Sequence, residues 1–253
     1  MKFIAVIPAR FASTRFPGKP LAILGGQSVL QRVYNQVSKQ LDNVYIATDD
    51  KRIYDHVISW GGNIIMTRSD HQSGTDRIEE AVEYLENNGQ VFDVVVNVQG
   101  DEPFIQPSQI KTLCDCFNDD TTQIATLGMT FEKNIKTISN PNSPKIVTDK
   151  KGFALYFSRS TIPFCRGVEP DEWPDTFPYM KHIGMYAYKR EILREITSLP
   201  QSSSLEKAEC LEQLRWLENG YRIKVGKTLI ETIGIDTPED LKKAEKFLTT
   251  QMA

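Results

Sequence analysis

Short apolar segments of strand length alternate with amphipathic segments through the first half of the chain. The strand-like segments are residues 3–7, 44–48, 64–67, 94–98 and 124–129. Between them apolar residues recur at helical spacing, as Val29, Val33 and Val37 do. Strands that alternate with helices usually run parallel and are joined by right-handed crossovers. The pattern predicts an α/β fold with a single open, mostly parallel sheet and helices on both faces.

The pattern changes after about residue 133. Residues 145–157 read as two strands around a turn, which predicts an antiparallel excursion in the second half. Residues 164–178 contain three prolines and several acids, and are expected to form an irregular surface loop. Helices are expected at residues 205–217 and 238–247, the latter with Thr237 as its N-cap. No repeat or low-complexity linker divides the chain, so we expect one domain.

Composition excludes several classes of protein. The net charge of −3 offers no overall attraction for nucleic acid. No apolar run is long enough to cross a bilayer, and the first apolar residues lack a signal-peptide cleavage site. The four cysteines show no zinc-like spacing and are expected to be reduced thiols. We therefore expect a cytoplasmic protein whose partners are small molecules, with no nucleic acid bound and no membrane insertion.

A cationic loop follows the first predicted strand. Residues 8–21 carry Arg10, Arg15 and Lys19 together with three prolines and Gly18. In open α/β sheets, ligands bind beyond the carboxyl ends of the strands. Guanidinium and ammonium groups there are suited to phosphates. The loop is not a GxxxxGK[ST] or GxGxxG motif, so it indicates either a phosphate site or a solvated cationic loop.

Two aspartates lie in loops expected near the same edge of the sheet. Asp101 follows the predicted strand at residues 94–98, and Asp236 precedes the last predicted helix. Two carboxylates beside a phosphate site suit magnesium, which takes one or two carboxylates plus substrate oxygens. Singly, each aspartate has another interpretation: Asp101 as a turn residue and Asp236 as part of a helix cap. Asp240 is better explained as a capping residue.

Residues 70–77 form a small, polar, glycine-containing segment ahead of a helix. Gly74 would allow the backbone to approach a flat base or a ribose, and Arg77 could donate to a carbonyl group. Ser73 or Thr75 could equally well be nothing more than the N-cap of the helix.

Polar residues also interrupt apolar segments of the second half. They are Arg159, His182, Glu212 and Gln213. Such groups are usually satisfied by structural hydrogen bonds. Together they could instead form a pocket for a polyhydroxylated sugar.

Eight segments, in this order, resemble one known enzyme family. They are IPARFASTRFPGKPL, ATDD, SGTDR, VNVQGDEP, ALYFSRSTIPF, KHIGMYAYKR, LEQLRWLENG and GIDTPEDL. They extend from residue 7 to residue 241 and resemble the CMP-Kdo synthetases, the 3-deoxy-manno-octulosonate cytidylyltransferases of lipopolysaccharide biosynthesis. Residues 165–178 depart from the family in length and composition, which leaves the local loop and dimer contacts open.

The resemblance implies that CTP and Kdo react to give CMP-Kdo and pyrophosphate, with magnesium as cofactor, in a homodimer. The implied CTP-binding residues are Ala9, Arg10, Arg15, Lys19, Ser73, Gly74, Arg77 and Gln99. The implied sugar-binding residues are Gln99, Arg159, His182, Tyr186, Glu212 and Gln213. The implied metal ligands are Asp101 and Asp236, and the implied catalytic residues are Arg10, Lys19, Asp101 and Asp236.

The same resemblance divides the expected single domain by role. Residues 1–132 would mainly bind CTP, and residues 133–230 would mainly bind the sugar and form the dimer. Residues 231–253 would supply a metal-ligand loop and the C-terminal helix. Other nucleotidyltransferases, such as CMP-sialate synthetases, are expected to have a different first loop. A glycosyltransferase would need a DxD-like motif, which the Asp49–Asp50 pair does not supply.

Overall fold

The computed structural model describes residues 1–13, 15–200, 203–231 and 233–252. The chain divides into two compact units, one of Met1–Lys111 with Thr232–Ala253 and one of Thr112–Glu231. The boundary after Glu231 lies next to the division expected from the sequence at residue 230. The boundary after Lys111 precedes the division expected at residue 132. No helix in the described parts is both long and apolar enough to cross a membrane.

The first unit is built on parallel strands that alternate with helices. Its sheet has the order β6-β1-β4-β5, and every neighbouring pair is parallel. The elements are β1 (Phe3–Ala9), β2 (Ile23–Leu24), β3 (Gln27–Ser28), α1 (Val29–Val37), β4 (Val44–Thr48), α2 (Lys51–Ser59), β5 (Ile64–Met66), α3 (Gly74–Asn87), β6 (Val94–Asn97) and, at the C-terminus, α10 (Pro238–Met252). The first boundary between the units falls within helix α4 (Pro107–Asp115). The predicted α/β alternation is confirmed.

Periodicity and capping account for these helices. The buried face of α1 includes Val29, Val33 and Val37, as their spacing predicts. Strand β6 is buried along its whole length, as expected of a central parallel strand. Helix α10 begins with a reciprocal cap, in which the Asp240 amide donates to Thr237 Oγ1 and the Thr237 amide donates to Asp240 Oδ2. The predicted cap at Thr237 is therefore confirmed.

The second unit contains the antiparallel excursion. Strand β7 pairs parallel with β11 and antiparallel with β10, which also pairs antiparallel with β8; β8 and β9 form a hairpin. The elements are β7 (Ile124–Thr130), α5 (Ile135–Ile138), β8 (Lys145–Thr148), β9 (Ala154–Ser158), α6 (Trp173–Thr176), β10 (Met180–Lys189), α7 (Arg190–Thr197), α8 (Ser204–Glu209), α9 (Gln213–Glu218) and β11 (Ile223–Lys227). The predicted hairpin and the change of pattern are confirmed.

Two expectations about the second unit were wrong. The helix expected at residues 205–217 is two helices, α8 and α9, because Cys210 adopts a left-handed conformation with φ of 51°. Residues 164–178 are also less irregular than expected. They contain a 3-10 turn at Pro170–Glu172 followed by α6, both with a proline in the first turn. The Trp173 side chain anchors this segment in an apolar cluster with Ile138 and Tyr179.

Candidate active site

A pocket of about 480 Å³ opens in the first unit where strands β1 and β6 end. Its walls come from the loop after β1, the start of α3, the segment after β6 and the turn before α10. Four cationic and two anionic residues are among those that the structure describes there. The lining residues are Pro8, Ala9, Arg10, Ala12, Ser13, Arg15, Lys19, Pro20, Gly74, Arg77, Gln99, Gly100, Asp101 and Asp236. The first three predicted segments of the site therefore meet in one cavity.

The loop after β1 is closed by a backbone hydrogen bond across its ends. The Gly18 amide donates to the Phe11 carbonyl oxygen at 2.9 Å. Gly18 has a φ of 73°, and a Cβ atom there would lie 3.1 Å from the Phe11 ring. Only glycine fits this turn without strain, because both its backbone conformation and its contact with Phe11 oppose a side chain. Lys19 follows directly and begins a short 3-10 helix.

Helix α2 holds the same loop from the outside. The Arg52 guanidinium carbon lies 3.3 Å from the centre of the Phe11 ring. Asp50, the N-cap of α2, accepts hydrogen bonds from Arg52 Nε and Nη2 at 2.9 and 2.6 Å. These bonds lower the pKa of Asp50. The planar guanidinium is thus fixed by a carboxylate while its face covers an aromatic ring.

Lys19 and both predicted metal ligands form an ion-pair network. Lys19 Nζ donates to Asp101 Oδ2 at 2.6 Å and to Asp236 Oδ1 at 3.2 Å. Arg15 Nη2 lies 3.1 Å from Asp236 Oδ2. Arg10 is exposed, and no partner for its side chain is found among the described residues. Three predicted phosphate-binding cations therefore line one pocket, but two of them are paired with carboxylates.

Backbone contacts set the separation of the two aspartates. The Ile235 amide donates to the Asp101 carbonyl oxygen at 2.9 Å, which ties the two loops together. Ile235 itself is fully buried in an apolar cluster with Leu24 and Phe104. A Cβ atom on Gly100 would lie 3.1 Å from the Pro8 carbonyl oxygen, so glycine allows this loop to approach β1 closely.

The two carboxylates fit a dication. Both already converge on one positively charged atom, Lys19 Nζ, which marks a position where their oxygens meet. Across the parts of the chain that the structure describes, no cluster of three or more histidine, cysteine, aspartate or glutamate side chains could hold a metal. A pair of carboxylates completed by phosphate oxygens is the arrangement that magnesium favours.

Ser73, Gly74 and Arg77 lie at the start of α3. Ser73 Oγ accepts a hydrogen bond from the Asp76 amide and forms a full capping box. Ser73 is therefore the N-cap of α3, which was one of the two interpretations of this segment. Gly74 faces the pocket, close to Pro8. Arg77 lines the pocket although it is only 1% exposed. Its Nη1 donates to Thr67 Oγ1, and its Nη2 lies 3.2 Å from Asp49 Oδ2.

The second unit brings His182 and Tyr186 of β10 together. Their ring centroids are 5.4 Å apart, and the centroid of the Phe157 ring lies 5.2 Å from that of His182. His182 Nε2 lies 3.1 Å from Thr126 Oγ1. Burial lowers the pKa of His182 to about 3, so its imidazole is neutral at physiological pH.

Helix α9 adds unsatisfied polar groups to this cluster. Trp216 of α9 packs against Tyr186 at 5.1 Å between ring centroids. Neither Gln213 Nε2 nor the Tyr186 hydroxyl has a hydrogen-bond partner of good geometry among the described atoms. Burial is the largest cause that raises the pKa of Tyr186, followed by the nearby Tyr188 and Glu212. Glu212 also accepts a hydrogen bond from Arg215. Buried polar groups without partners are consistent with a ligand site.

Arg159 is engaged structurally. Its guanidinium donates to the carbonyl oxygens of Glu209, Cys210 and Pro141. Its backbone amide donates to Glu209 Oε2. Arg159 thus stabilises the turn that leads into α9. Gln99 belongs to the first unit, where Nε2 donates to Asn97 Oδ1 at 3.2 Å.

Sequence reasoning missed several residues around these sites. Phe11 and Arg52 carried no signal, because nothing local in the sequence indicates that the Arg52 guanidinium will lie against the Phe11 ring. The ATDD segment gives no local indication that Asp49 forms an ion pair with Arg77. Thr126, the partner of His182, is an ordinary residue in a buried strand.

The chain matches the family model "Cytidylyltransferase" over residues 4–233. It is 60% identical to the 3-deoxy-manno-octulosonate cytidylyltransferase of Bacteroides thetaiotaomicron, covering 98% of both chains. It is 50% identical to the protein of the same name from Cytophaga hutchinsonii, covering 95% of both chains.

Solved structures show the same relationship. The chain is similar to CMP:2-keto-3-deoxy-manno-octonic acid synthetase complexed with CTP, with a TM-score of 0.90 and 37% identity over 99% of this chain and 100% of the other. It also shares its fold with 4-diphosphocytidyl-2C-methyl-D-erythritol synthase from Anaerococcus prevotii. That match has a TM-score of 0.60 and 17% identity over 98% of this chain and 99% of the other.

Proposed function

Because this chain belongs to the cytidylyltransferase family, as one of its 3-deoxy-manno-octulosonate cytidylyltransferases, we propose that it transfers the cytidylyl group of CTP to Kdo. The products are CMP-Kdo and pyrophosphate. The observation that carries the proposal is the convergence of Arg10, Lys19, Asp101 and Asp236 on one pocket at the carboxyl ends of β1 and β6.

The reaction needs little covalent chemistry from the protein. The anomeric hydroxyl of the sugar attacks the α-phosphorus in line and loses its proton to solvent. The new oxygen–phosphorus bond forms as the bond to the leaving pyrophosphate breaks. Catalysis then depends on positioning and on stabilising the negative charge of the transition state. Arg10 has no partner among the described residues and is available to the triphosphate. Lys19 has a flexible stem that can bring its ammonium group to the leaving phosphates.

Asp101 and Asp236 would hold magnesium. When bound, the metal would neutralise phosphate charge and lower the pKa of the attacking hydroxyl group. The two carboxylates would orient it, since the Ile235–Asp101 backbone bond sets their separation. No protein side chain is then required as a dedicated base.

The proposal assigns the nucleoside to the walls formed by Ala9, Ser73, Gly74, Arg77 and Gln99. Arg77 is held by Asp49 and Thr67, so its guanidinium has one defined orientation. A fixed donor of this kind can discriminate between bases, because a base that cannot accept its hydrogen bond leaves a buried charge less well paired.

The proposal assigns the sugar to polar groups of the second unit. Gln213 and Tyr186 have the strongest support, since Gln213 Nε2 and the Tyr186 hydroxyl are buried without a partner of good geometry among the described atoms. His182 is neutral and can donate or accept a hydrogen bond without adding charge. Glu212 is partly exposed and can accept from sugar hydroxyls. Arg159 would act indirectly, through the turn that positions α9.

The remaining attributes follow from the family and the composition. We propose that the enzyme acts in lipopolysaccharide biosynthesis, functions as a homodimer and is located in the cytoplasm. Size-exclusion chromatography with light scattering would test the dimer, which a monomeric mass at working concentration would contradict.

Product analysis tests the proposed reaction. The protein is incubated with CTP, magnesium and Kdo, and phosphorus NMR follows the nucleotide. We expect one phosphodiester resonance, from CMP-Kdo, to appear with an equal amount of pyrophosphate. Formation of CDP, or of CMP with two inorganic phosphates, would indicate a different bond cleavage and contradict the proposal. ATP and UTP in place of CTP serve as controls and should yield little product.

A further inference from the structure

Lys19 lies between the two aspartates. Its ammonium group donates to one oxygen of Asp101 and one of Asp236, and its side chain is only 14% exposed. Asp236 also pairs with Arg15 through its other oxygen. The two negative charges are therefore already balanced by two positive ones.

This balance works against binding of a dication alone. A metal ion that approaches Asp101 and Asp236 meets an ammonium group on the same oxygens. Like charges a few ångströms apart repel each other, and water weakens this repulsion without abolishing it. Without nucleotide, the carboxylates are thus occupied, and a dication must displace Lys19 into a pocket that holds further cations, Arg10 and Arg15.

A triphosphate removes this obstacle. It provides Lys19 with a new anionic partner inside the same pocket, and its oxygens complete the coordination of the metal. The backbone of Lys19 is set by the turn at Gly18 and by the 3-10 helix that follows. Only the flexible stem needs to move.

We propose that Lys19 exchanges partners during binding, from the two aspartates to the triphosphate, so that the dication and CTP each strengthen the binding of the other. The inference rests on the proposed function for the identity of the nucleotide. The free energy needed to separate Lys19 from the two aspartates is required only once, whether one ligand binds or both. Binding of the dication and of CTP is therefore positively coupled. Linkage requires each ligand to raise the affinity of the other by the same factor.

Manganese binding without nucleotide tests the exchange independently of catalysis. Free Mn²⁺ is measured by electron paramagnetic resonance as it is titrated into the wild-type protein, Lys19→Met and Lys19→Arg. Lys19→Met removes the charge and keeps the stem, whereas Lys19→Arg keeps the charge. Lys51→Met is the matched control, because Lys51 pairs with Asp55 on exposed α2. Circular dichroism confirms that each variant is folded.

We expect Lys19→Met to bind Mn²⁺ roughly tenfold more tightly than wild type, or better, because a repelling unit charge is gone. Lys19→Arg and Lys51→Met should bind it as weakly as wild type does. Equal or weaker Mn²⁺ binding by Lys19→Met would overturn the exchange, whatever reaction the protein catalyses. Tighter Mn²⁺ binding by Lys19→Met together with no cytidylyl transfer by the wild-type protein would instead contradict the proposed function alone.

Calorimetry of CTP binding, with and without Mg²⁺, tests the coupling. In wild type, Mg²⁺ should increase CTP affinity, and the factor should be smaller in Lys19→Met because no shared cost remains. If Mg²⁺ increased CTP affinity by the same factor in wild type and in Lys19→Met, the coupling through Lys19 would be contradicted.

Discussion

The Arg52 guanidinium lies 3.3 Å from the centre of the Phe11 ring and covers the loop that carries the pocket's cations. Asp50 fixes the guanidinium, and Phe11 in turn packs over Gly18, directly before Lys19. A residue that does not line the pocket therefore contacts the loop that carries Arg10, Arg15 and Lys19.

We expect Arg52→Ala to weaken CTP binding by several-fold, because the loop loses a cation–π contact worth about 1 kcal/mol at an exposed site. The effect should appear mainly in KM for CTP, with a small change in kcat. Steady-state kinetics measure both, and Lys51→Ala on the same helix is the control. An unchanged KM for Arg52→Ala would show that the loop keeps its shape without this contact.

Asp101→Asn should lower kcat/KM by about a hundredfold or more, since it removes one charged metal ligand from a pair. The variant should also bind Mn²⁺ more weakly, which separates the metal from a purely structural role. Asp55→Asn, an exposed carboxylate on α2, serves as the control for charge loss. Near-normal turnover of Asp101→Asn with magnesium would exclude Asp101 as a metal ligand.

His182 gives stability a pH dependence of known sign. Its pKa is about 3 in the folded protein and about 6.5 when unfolded, so the unfolded chain binds the additional proton. Stability from the neutral ring is complete above about pH 6.5 and is lost as the pH falls towards 3. The slope from this group cannot exceed about 1.4 kcal/mol per pH unit, because the unfolded chain binds at most one more proton at this residue.

Denaturant unfolding at pH 5 and pH 7.5 measures this contribution. We expect wild type to lose more stability between these values than His182→Gln does. His71→Gln is the control for loss of another imidazole. An equal loss in wild type and His182→Gln would show that His182 is not held neutral.

The sequence predicted where the site lies because parallel strands place their carboxyl ends at one edge. Knowing that residues 8–21 follow β1 and that Asp101 follows β6 was enough to bring them together. The sequence also placed Asp236 near this edge, because it precedes the last predicted helix, and its loop reaches the pocket through the Ile235–Asp101 backbone bond. That bond joins residues far apart in the chain and has no local signature.

Other features depend on contacts that periodicity does not encode. The apolar spacing continues through residues 205–217, so the left-handed Cys210 that divides α8 from α9 was not foreseen. From the sequence, Lys19 was predicted to bind phosphates, and the two aspartates were predicted to bind a metal ion. The sequence did not indicate that these residues neutralise one another when neither ligand is present, because that depends on their distances in space.

Pyrophosphate release tests the central claim most directly. The purified protein is assayed with CTP, magnesium and a panel of 2-keto-3-deoxy sugar acids that includes Kdo and its 8-amino analogue. We predict release that requires both CTP and Kdo or that close analogue, and that is absent when the sugar is omitted. Release with a different sugar acid, and none with Kdo or its 8-amino analogue, would contradict the assignment of Kdo as the substrate.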